Sequence, residues 1–122
     1  MLFPDLYQVQ NITNLETNKF EAQIVLNAKH DIFKGHFPEN PVMPGVCMMQ
    51  IIKEIAEQII GYNVTLTQSN NIKFMALINP EVTPNLRLEF EITEVENEVK
   101  VKNTTYFNDV TALKLSSTYT KN

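Results

Sequence analysis

The sequence predicts an α+β protein in which an antiparallel sheet of about six strands wraps over a single long helix. Apolar residues recur at helical spacing in residues 44–60, and the flanking segments alternate apolar and polar residues between turn-forming residues. With 122 residues the chain can bury one hydrophobic core but not two. We therefore expect a single domain covering residues 1–122.

The predicted helix has terminal signals that agree with its apolar spacing. Pro44 suits the first turn, where its missing N–H is no loss, and Gly61 suits the position just past the end. The apolar positions that recur along it are Met48, Ile51, Ile52, Ile55 and Ile59. Strands are predicted at residues 7–13, 19–28, 71–78, 86–92, 99–102 and 111–120, with turns at 14–18 and 108–109.

Two of these strands are predicted to form a hairpin with one charged face and one apolar face. In this hairpin Arg87, Glu89 and Glu91 would lie opposite Lys100 and Lys102. The helix is apolar over more than half of its circumference, which is wider than one face of an open sheet covers. We therefore expect a strongly curved sheet, a second subunit, or both, with a homodimer as the default because edge strands also favour a partner.

Composition excludes several classes of function. The formal net charge of −4 argues against a nucleic-acid-binding or anionic-membrane surface, and no apolar run is long enough for a membrane helix or a signal peptide. The one cysteine, Cys47, excludes an internal disulfide framework, so we expect a cytoplasmic protein. His30 and His36 are not spaced as metal ligands, and we expect neither a metal nor a cofactor.

The segment 35–50, GHFPENPVMPGVCMMQ, concentrates the chemistry-bearing residues of the chain. Three prolines stiffen it and would hold His36, a base with a near-neutral pKa, beside a helix N-terminus. Backbone N–H groups around Gly45 could stabilise an oxyanion there. A base beside an oxyanion site suits proton abstraction α to a thioester carbonyl, and a purely structural histidine is an equal alternative.

Residues 36–46, HFPENPVMPGV, resemble the signature of the β-hydroxyacyl-ACP dehydratases of fatty-acid biosynthesis, which are lyases with the hot-dog fold. The resemblance implies a dimer with an acyl tunnel at the subunit interface, and a substrate carried by acyl carrier protein. It also implies that His36 is the catalytic base, that the Val42 carbonyl accepts a hydrogen bond from its ring, and that the Gly45 N–H binds the thioester oxygen. The residues expected to contact the acyl substrate are Phe33, Phe37, Pro44 and Val46.

The sequence departs from that family at the helical acid, which the other subunit would contribute to each site. Gln50 occupies the position of the acid, and Glu54 occupies a position where many members have Gln. Residues four apart lie on nearly the same helix face, so Glu54 could replace the acid if the substrate sat deeper or a water bridged the gap. Alternatively, Gln50 and Glu54 belong to a solvated polar face, which is the favoured interpretation; its members are Gln50, Lys53, Glu54, Glu57 and Gln58.

Two other residues are given structural interpretations. Cys47 in the first helical turn could be an activated thiol, but its apolar neighbours favour a buried and inert side chain. His30 has no motif around it and is expected to be structural or exposed.

Three functions remain open at this point. The leading hypothesis is a 3-hydroxyacyl-thioester dehydratase in which Gln50 or Glu54 assists the departure of water. The second is a non-catalytic subunit that binds an acyl chain or pairs with a related, active dehydratase. The third is a hot-dog thioesterase in which Asp31 or Glu54 activates water, and the dehydratase-like segment makes it the weakest of the three.

Overall fold

The computed structural model describes residues 5–35 and 41–122. These residues form the α+β arrangement that the sequence predicts, with six strands and one long helix. In chain order the elements are β1 (Tyr7–Glu16), β2 (Lys19–Leu26), a short 3-10 helix (Asp31–Gly35), α1 (Gly45–Ile60), β3 (Val64–Phe74), β4 (Asn85–Val95), β5 (Glu98–Phe107) and β6 (Val110–Lys121).

The six strands form one sheet in the order β1-β2-β4-β5-β6-β3, and every neighbouring pair is antiparallel. The chain leaves β2 near one edge, forms α1, and re-enters the sheet as β3 at the opposite edge. One side of α1 joins a single hydrophobic core with alternate residues of the strands. The core residues of α1 are Cys47, Met48, Ile51, Ile52, Ile55 and Ala56, and those of β4 are Leu86, Leu88, Phe90 and Ile92.

Both ends of α1 lie close to their predicted positions. Pro44 has an extended conformation (φ −63°, ψ 141°) and caps the helix from outside, so α1 begins one residue later than predicted. The Pro44 carbonyl accepts the N–H groups of Cys47 and Met48 at 3.1 and 3.2 Å. Gly61 ends the helix at φ 88°, in the left-handed region that glycine adopts most readily, and donates its N–H to the Glu57 carbonyl at 2.8 Å.

The third strand is the largest correction to the sequence-based prediction. The strand predicted at residues 71–78 instead runs from Val64 to Phe74. Residues 64–70 carry no apolar alternation because β3 is an edge strand with mostly exposed side chains, yet its backbone pairs with β6 along most of its length. The pairing ends after Phe74, where the N–H groups of Met75 and Ala76 both donate to the Ala112 carbonyl at 2.8 and 3.1 Å.

The hairpin of β4 and β5 has the predicted buried apolar face, but the predicted pairing of its charged residues is confirmed only in part. Glu91 lies opposite Lys102 as expected, whereas Arg87 lies opposite Tyr106. The Arg87 guanidinium carbon stands 4.1 Å from the centre of the Tyr106 ring, and its Nη1 donates to Glu89 at 2.8 Å. Strand β5 extends to Phe107, so the hairpin is longer than predicted and the registered partners shift accordingly.

Candidate functional site

The described part of the dehydratase-like motif is held against the chain that follows β3. Met43 is buried and donates its N–H to the Ile78 carbonyl at 2.9 Å, while Val42 is half-buried. His36 and Phe37 lie outside the described residues, so their roles remain predictions. The described part of the motif therefore consists of residues 41–46 and leads directly into α1.

Gly45 is the first residue of α1, and its N–H belongs to the turn whose N–H groups have no acceptor within a helix. The structure also supplies a packing reason for glycine at this position. A Cβ added to Gly45 would stand 2.7 Å from Cζ of Phe74, which is closer than real Cβ atoms approach a neighbour. The Phe74 ring takes up the space that a side chain at position 45 would need.

The residues expected to contact substrate are divided between two concavities. Val46 is 72% exposed and lines a groove of about 370 Å³ between α1 and β3, together with Met49, Gln50 and Leu66. Phe33 is buried and lines a separate cavity of about 310 Å³ that contains Pro41. Pro44 is half-buried at the start of α1. The structure thus brings Val46 and Gln50 together and leaves Phe33 apart from them.

The helical side chains at the expected acid position form a hydrogen-bonded chain with a residue of β1. The Gln50 amide donates from Nε2 to Oε2 of Glu54 at 3.0 Å. The Tyr7 hydroxyl donates to the other carboxylate oxygen, Oε1, at 2.7 Å. Glu54 is half-buried, so it is not the solvated member of a polar face that the sequence favoured. Both oxygens of the Glu54 carboxylate therefore accept a hydrogen bond.

Tyr7 is the site residue that sequence reasoning missed. It opens strand β1 and is buried, which in the sequence is indistinguishable from any apolar strand position. Burial, the hydrogen bond to Glu54 and the charges of Glu54 and Glu57 together raise the pKa of Tyr7 well above its ordinary value. The only signal that could have found it is the hydroxyl itself, because a buried tyrosine normally needs a hydrogen-bond partner.

Tyr7 and Glu54 open onto a cleft of about 360 Å³ beside the end of α1. Glu57 lines the same cleft; its Oε2 accepts the N–H of Val64 at 2.9 Å and lies 3.8 Å from Nζ of Lys53. Gln58 is exposed, as expected for a polar face. The prediction of a solvated polar face is therefore confirmed only in part, because the carboxylates of Glu54 and Glu57 accept hydrogen bonds from residues outside the helix.

Cys47 and His30 take the structural roles that were favoured for them. Cys47 is 2% exposed, and burial raises the pKa of its thiol, which opposes nucleophilic reactivity. Nδ1 of His30 accepts the N–H of Ile32 at 3.1 Å and so supports the short 3-10 helix.

Neither a metal centre nor a membrane span is found in the part of the chain that the structure describes. Within residues 5–35 and 41–122, no three His, Cys, Asp or Glu side chains are grouped so that they could hold a metal ion. Over the same residues, no helix has the length and apolar character needed to cross a bilayer.

Comparison with known proteins places the chain in a family. A family model described as ApeI-like, ApeI dehydratase, matches residues 11–113, which include the whole of the motif and α1. The chain belongs to the ApeI-like dehydratase family. A 3-hydroxyacyl-(acyl-carrier-protein) dehydratase FabZ of Bacillus velezensis is 30% identical over 99 residues, which is 75% of this chain and 69% of that protein.

A second FabZ relative, from Alkaliphilus metalliredigens, is 30% identical over 102 residues, which is 77% of this ApeI-like chain and 68% of that protein. The chain spans about two thirds of the length of the curated relatives it matches.

Solved structures agree with the family assignment at the level of the fold. A chain of the dehydratase heterocomplex ApeI:P from Xenorhabdus doucetiae has a TM-score of 0.75 at 19% identity, over 93% of this chain and 97% of that chain. The protein smu.793 of Streptococcus mutans UA159, solved with acetyl CoA, has a TM-score of 0.69 at 11% identity, over 94% of this chain and 89% of that chain. This ApeI-like chain has the hot-dog fold, as its motif predicted.

Proposed function

We propose that the protein is a 3-hydroxyacyl-thioester dehydratase that forms a trans-2-enoyl thioester by loss of water. The observation that carries this proposal is membership of the ApeI-like dehydratase family over a span that contains the segment from His36 to Val46. The start of α1 supports it, because the N–H of Gly45 lies where a helix can stabilise negative charge on a thioester oxygen.

In the proposed reaction His36 removes the proton on the α-carbon of the substrate, and the Val42 carbonyl orients the histidine ring. The electrons of the broken C–H bond form the double bond, the thioester oxygen carries negative charge beside the Gly45 N–H, and the bond from C3 to its hydroxyl breaks. The hydroxyl takes up the proton that His36 removed and leaves as water, which returns His36 to its starting neutral form. Gln50 and Glu54 assist this departure by binding the hydroxyl or a water beside it.

The proposed substrate is carried on acyl carrier protein, as it is in the names of the FabZ relatives. The protein's proposed setting is fatty-acid biosynthesis in the cytoplasm. The carrier would deliver the thioester to the start of α1, where the motif ends.

A second subunit is part of this proposal. Apolar side chains stand exposed beside the start of α1, at the end of β3 and just after it, among them Val46, Phe74, Met75 and Leu77. A dimer would cover them and bring Gln50 of one subunit to His36 of the other. A homodimer is the simplest form, and a heterodimer with a related dehydratase is the alternative, since the structural neighbour from Xenorhabdus doucetiae is a heterocomplex.

One assay tests the proposed activity. The purified protein is incubated with 3-hydroxyacyl-ACP, and enoyl product, free acid and bound substrate are followed together. We expect enoyl product that is lost in His36→Ala and increased in Gln50→Glu. The exposed Lys100→Ala serves as the matched control and leaves the rate unchanged. Undiminished turnover in His36→Ala would contradict the proposal, and free acid in place of enoyl product would indicate a thioesterase.

A non-catalytic partner subunit is the second candidate, and one observation favours it. Gln50 stands in the sequence where the dehydratase resemblance implies an acid, and an amide cannot donate and recover a proton as a carboxylic acid does. A positioned acid contributes about 10²–10⁴-fold in rate, so its loss leaves a slow enzyme or a subunit that only lends His36 to a partner. Substrate binding without turnover, converted to turnover by adding a related dehydratase, would select this candidate.

A further inference from the structure

Tyr7, Glu54 and Gln50 form a continuous hydrogen-bonded chain that links strand β1 to the groove beside α1. Tyr7 lies at the inner end, where it is buried, and Gln50 lies at the outer end, where it lines the groove of about 370 Å³. Glu54 joins them and accepts one donor on each carboxylate oxygen, at 2.7 Å from Tyr7 and 3.0 Å from Gln50.

The hydrogen bonds between these three side chains determine which end of the Gln50 amide faces Glu54. A carboxylate only accepts hydrogen bonds, so the amide must turn its NH₂ group toward Glu54, as it does in the structure. The amide carbonyl oxygen is then the end that can accept a hydroxyl from a ligand in the groove. If Glu54 were free to move, the amide could turn over and present N–H donors in the same place.

We propose that Tyr7 is a positioning residue that fixes the Glu54 carboxylate and, through it, orients the Gln50 amide to accept the 3-hydroxyl of the substrate. This inference rests on the proposed function, in which Gln50 meets that hydroxyl. It assigns a specificity to the site: a 3-hydroxyacyl thioester offers a donor to the Gln50 oxygen, whereas a 3-oxoacyl thioester offers only an acceptor. Mismatched pairing of this kind leaves polar groups unpaired and weakens binding.

The Tyr7 hydroxyl is suited to this role because its direction of donation is fixed. Burial and the nearby charges of Glu54 and Glu57 disfavour the tyrosinate, so the hydroxyl donates and Glu54 accepts. Tyr62 provides an internal comparison. It lines the same cleft of about 360 Å³, but its hydroxyl donates to Glu94 on β4.

The experiment compares the equilibrium binding of two pantetheine analogues, one with a 3-hydroxyacyl group and one with a 3-oxoacyl group. In both an amide replaces the thioester, so that the 3-hydroxyacyl compound does not undergo elimination. The wild-type protein is expected to prefer the 3-hydroxyacyl compound by about tenfold, a typical consequence of one matched polar contact. Tyr7→Phe removes only the hydroxyl and is expected to lower that preference several-fold. Tyr62→Phe, the matched control, keeps it.

Coupling through Glu54 separates positioning from a merely structural role. In a Glu54→Gln background the preference is already low, and adding Tyr7→Phe is expected to lower it no further. Glu54→Asp shortens the side chain, so that the carboxylate can no longer reach both Tyr7 and Gln50. It is the second variant to test if Tyr7→Phe does not fold. An unchanged preference in Tyr7→Phe or Glu54→Asp overturns the inference, as does a full additional loss in the double variant or the absence of binding by either compound.

Failure of the proposed function gives a different result from failure of this inference. Preferential binding that depends on Tyr7, without enoyl formation from 3-hydroxyacyl-ACP, contradicts the dehydratase activity and leaves the positioning role standing. Enoyl formation with a preference that Tyr7→Phe does not change contradicts the positioning role alone.

Discussion

The ring of Phe74 lies against the backbone of Gly45, so that a methyl group at position 45 would stand 2.7 Å from Cζ. This contact joins the last residue of β3 to the first residue of α1. It makes the start of the helix, where the thioester oxygen is expected to bind, dependent on a side chain from the edge of the sheet. Phe74 itself is exposed over more than half of its surface, so its ring has room to move.

Gly45→Ala is therefore expected to displace the Phe74 ring and to destabilise the fold by about 1 kcal/mol, a modest overpacking cost. The free energy of unfolding in urea measures this effect. In a Phe74→Ala background the same substitution should cost nothing, because the obstructing ring is gone. An equal cost in both backgrounds would show that the contact with Phe74 is not its origin.

Tyr7 gives a pH dependence whose sign follows from its raised pKa. The unfolded chain releases the Tyr7 proton near the ordinary value of 10.0, whereas the folded protein retains it to higher pH. Above about pH 10 the folded state then binds more protons than the unfolded state. The contribution of Tyr7 to the free energy of unfolding is therefore fully present below about pH 10 and is lost as the pH rises above it. Tyr7→Phe should lose less stability than wild type between about pH 8 and pH 11, measured by urea unfolding at both values. An equal loss in the two proteins would contradict this assignment.

Gln50→Glu would place a second carboxyl group where Nε2 now stands 3.0 Å from Oε2 of Glu54. Two carboxylates at that distance cannot both ionise easily, so the pKa of the pair rises and one proton is retained. A raised pKa stabilises the folded state at low pH, and we expect the variant to lose stability relative to wild type from about pH 5 to pH 8. Thermal unfolding across that range measures this effect.

The same retained proton would place a carboxylic acid where the dehydratase resemblance implies one, and enoyl formation should increase by up to ~10²-fold. Gln58→Glu, at an exposed position of the same helix, adds the same charge and should change neither property. A pH-independent stability difference in Gln50→Glu would contradict the shared proton.

Cys47 is expected to be unreactive in the folded protein. Its thiol is buried and its pKa is raised by burial, so a thiol reagent can reach it only when the helix opens. Modification by a disulfide reagent such as dithionitrobenzoate should be slower than in urea by on the order of 10²-fold or more. Rapid modification without denaturant would contradict the buried position.

The helix could be predicted almost to the residue because three local signals coincide there. The apolar spacing, Pro44 before the start and Gly61 after the end all depend on residues within one short stretch. Strand β3 could not be predicted equally well. Its residues 64–70 are largely polar and exposed, and they form a strand because β6 offers them backbone partners from a distant part of the chain.

The candidate site divides in the same way. The motif around Gly45 is contiguous, so its family resemblance was visible in the sequence and is confirmed by the family match. The interaction of Tyr7 with Glu54 joins residues 47 positions apart and obeys no local pattern. In the sequence Glu54 is therefore indistinguishable from the other polar residues of the helix face. Only the fold shows that the buried Tyr7 hydroxyl donates to it.

The position of β6 between β5 and β3 has a consequence for the synthesis of the protein. A ribosome makes residues 64–74 well before residues 110–121, and within the described sheet β3 pairs only with β6. In a nascent chain β1, β2, β4 and β5 can pair as they emerge. Strand β3 emerges before β4 but has no partner strand until β6 has been synthesised. The contact of Phe74 with Gly45 is therefore expected to form late, after the strand that secures it has left the exit tunnel.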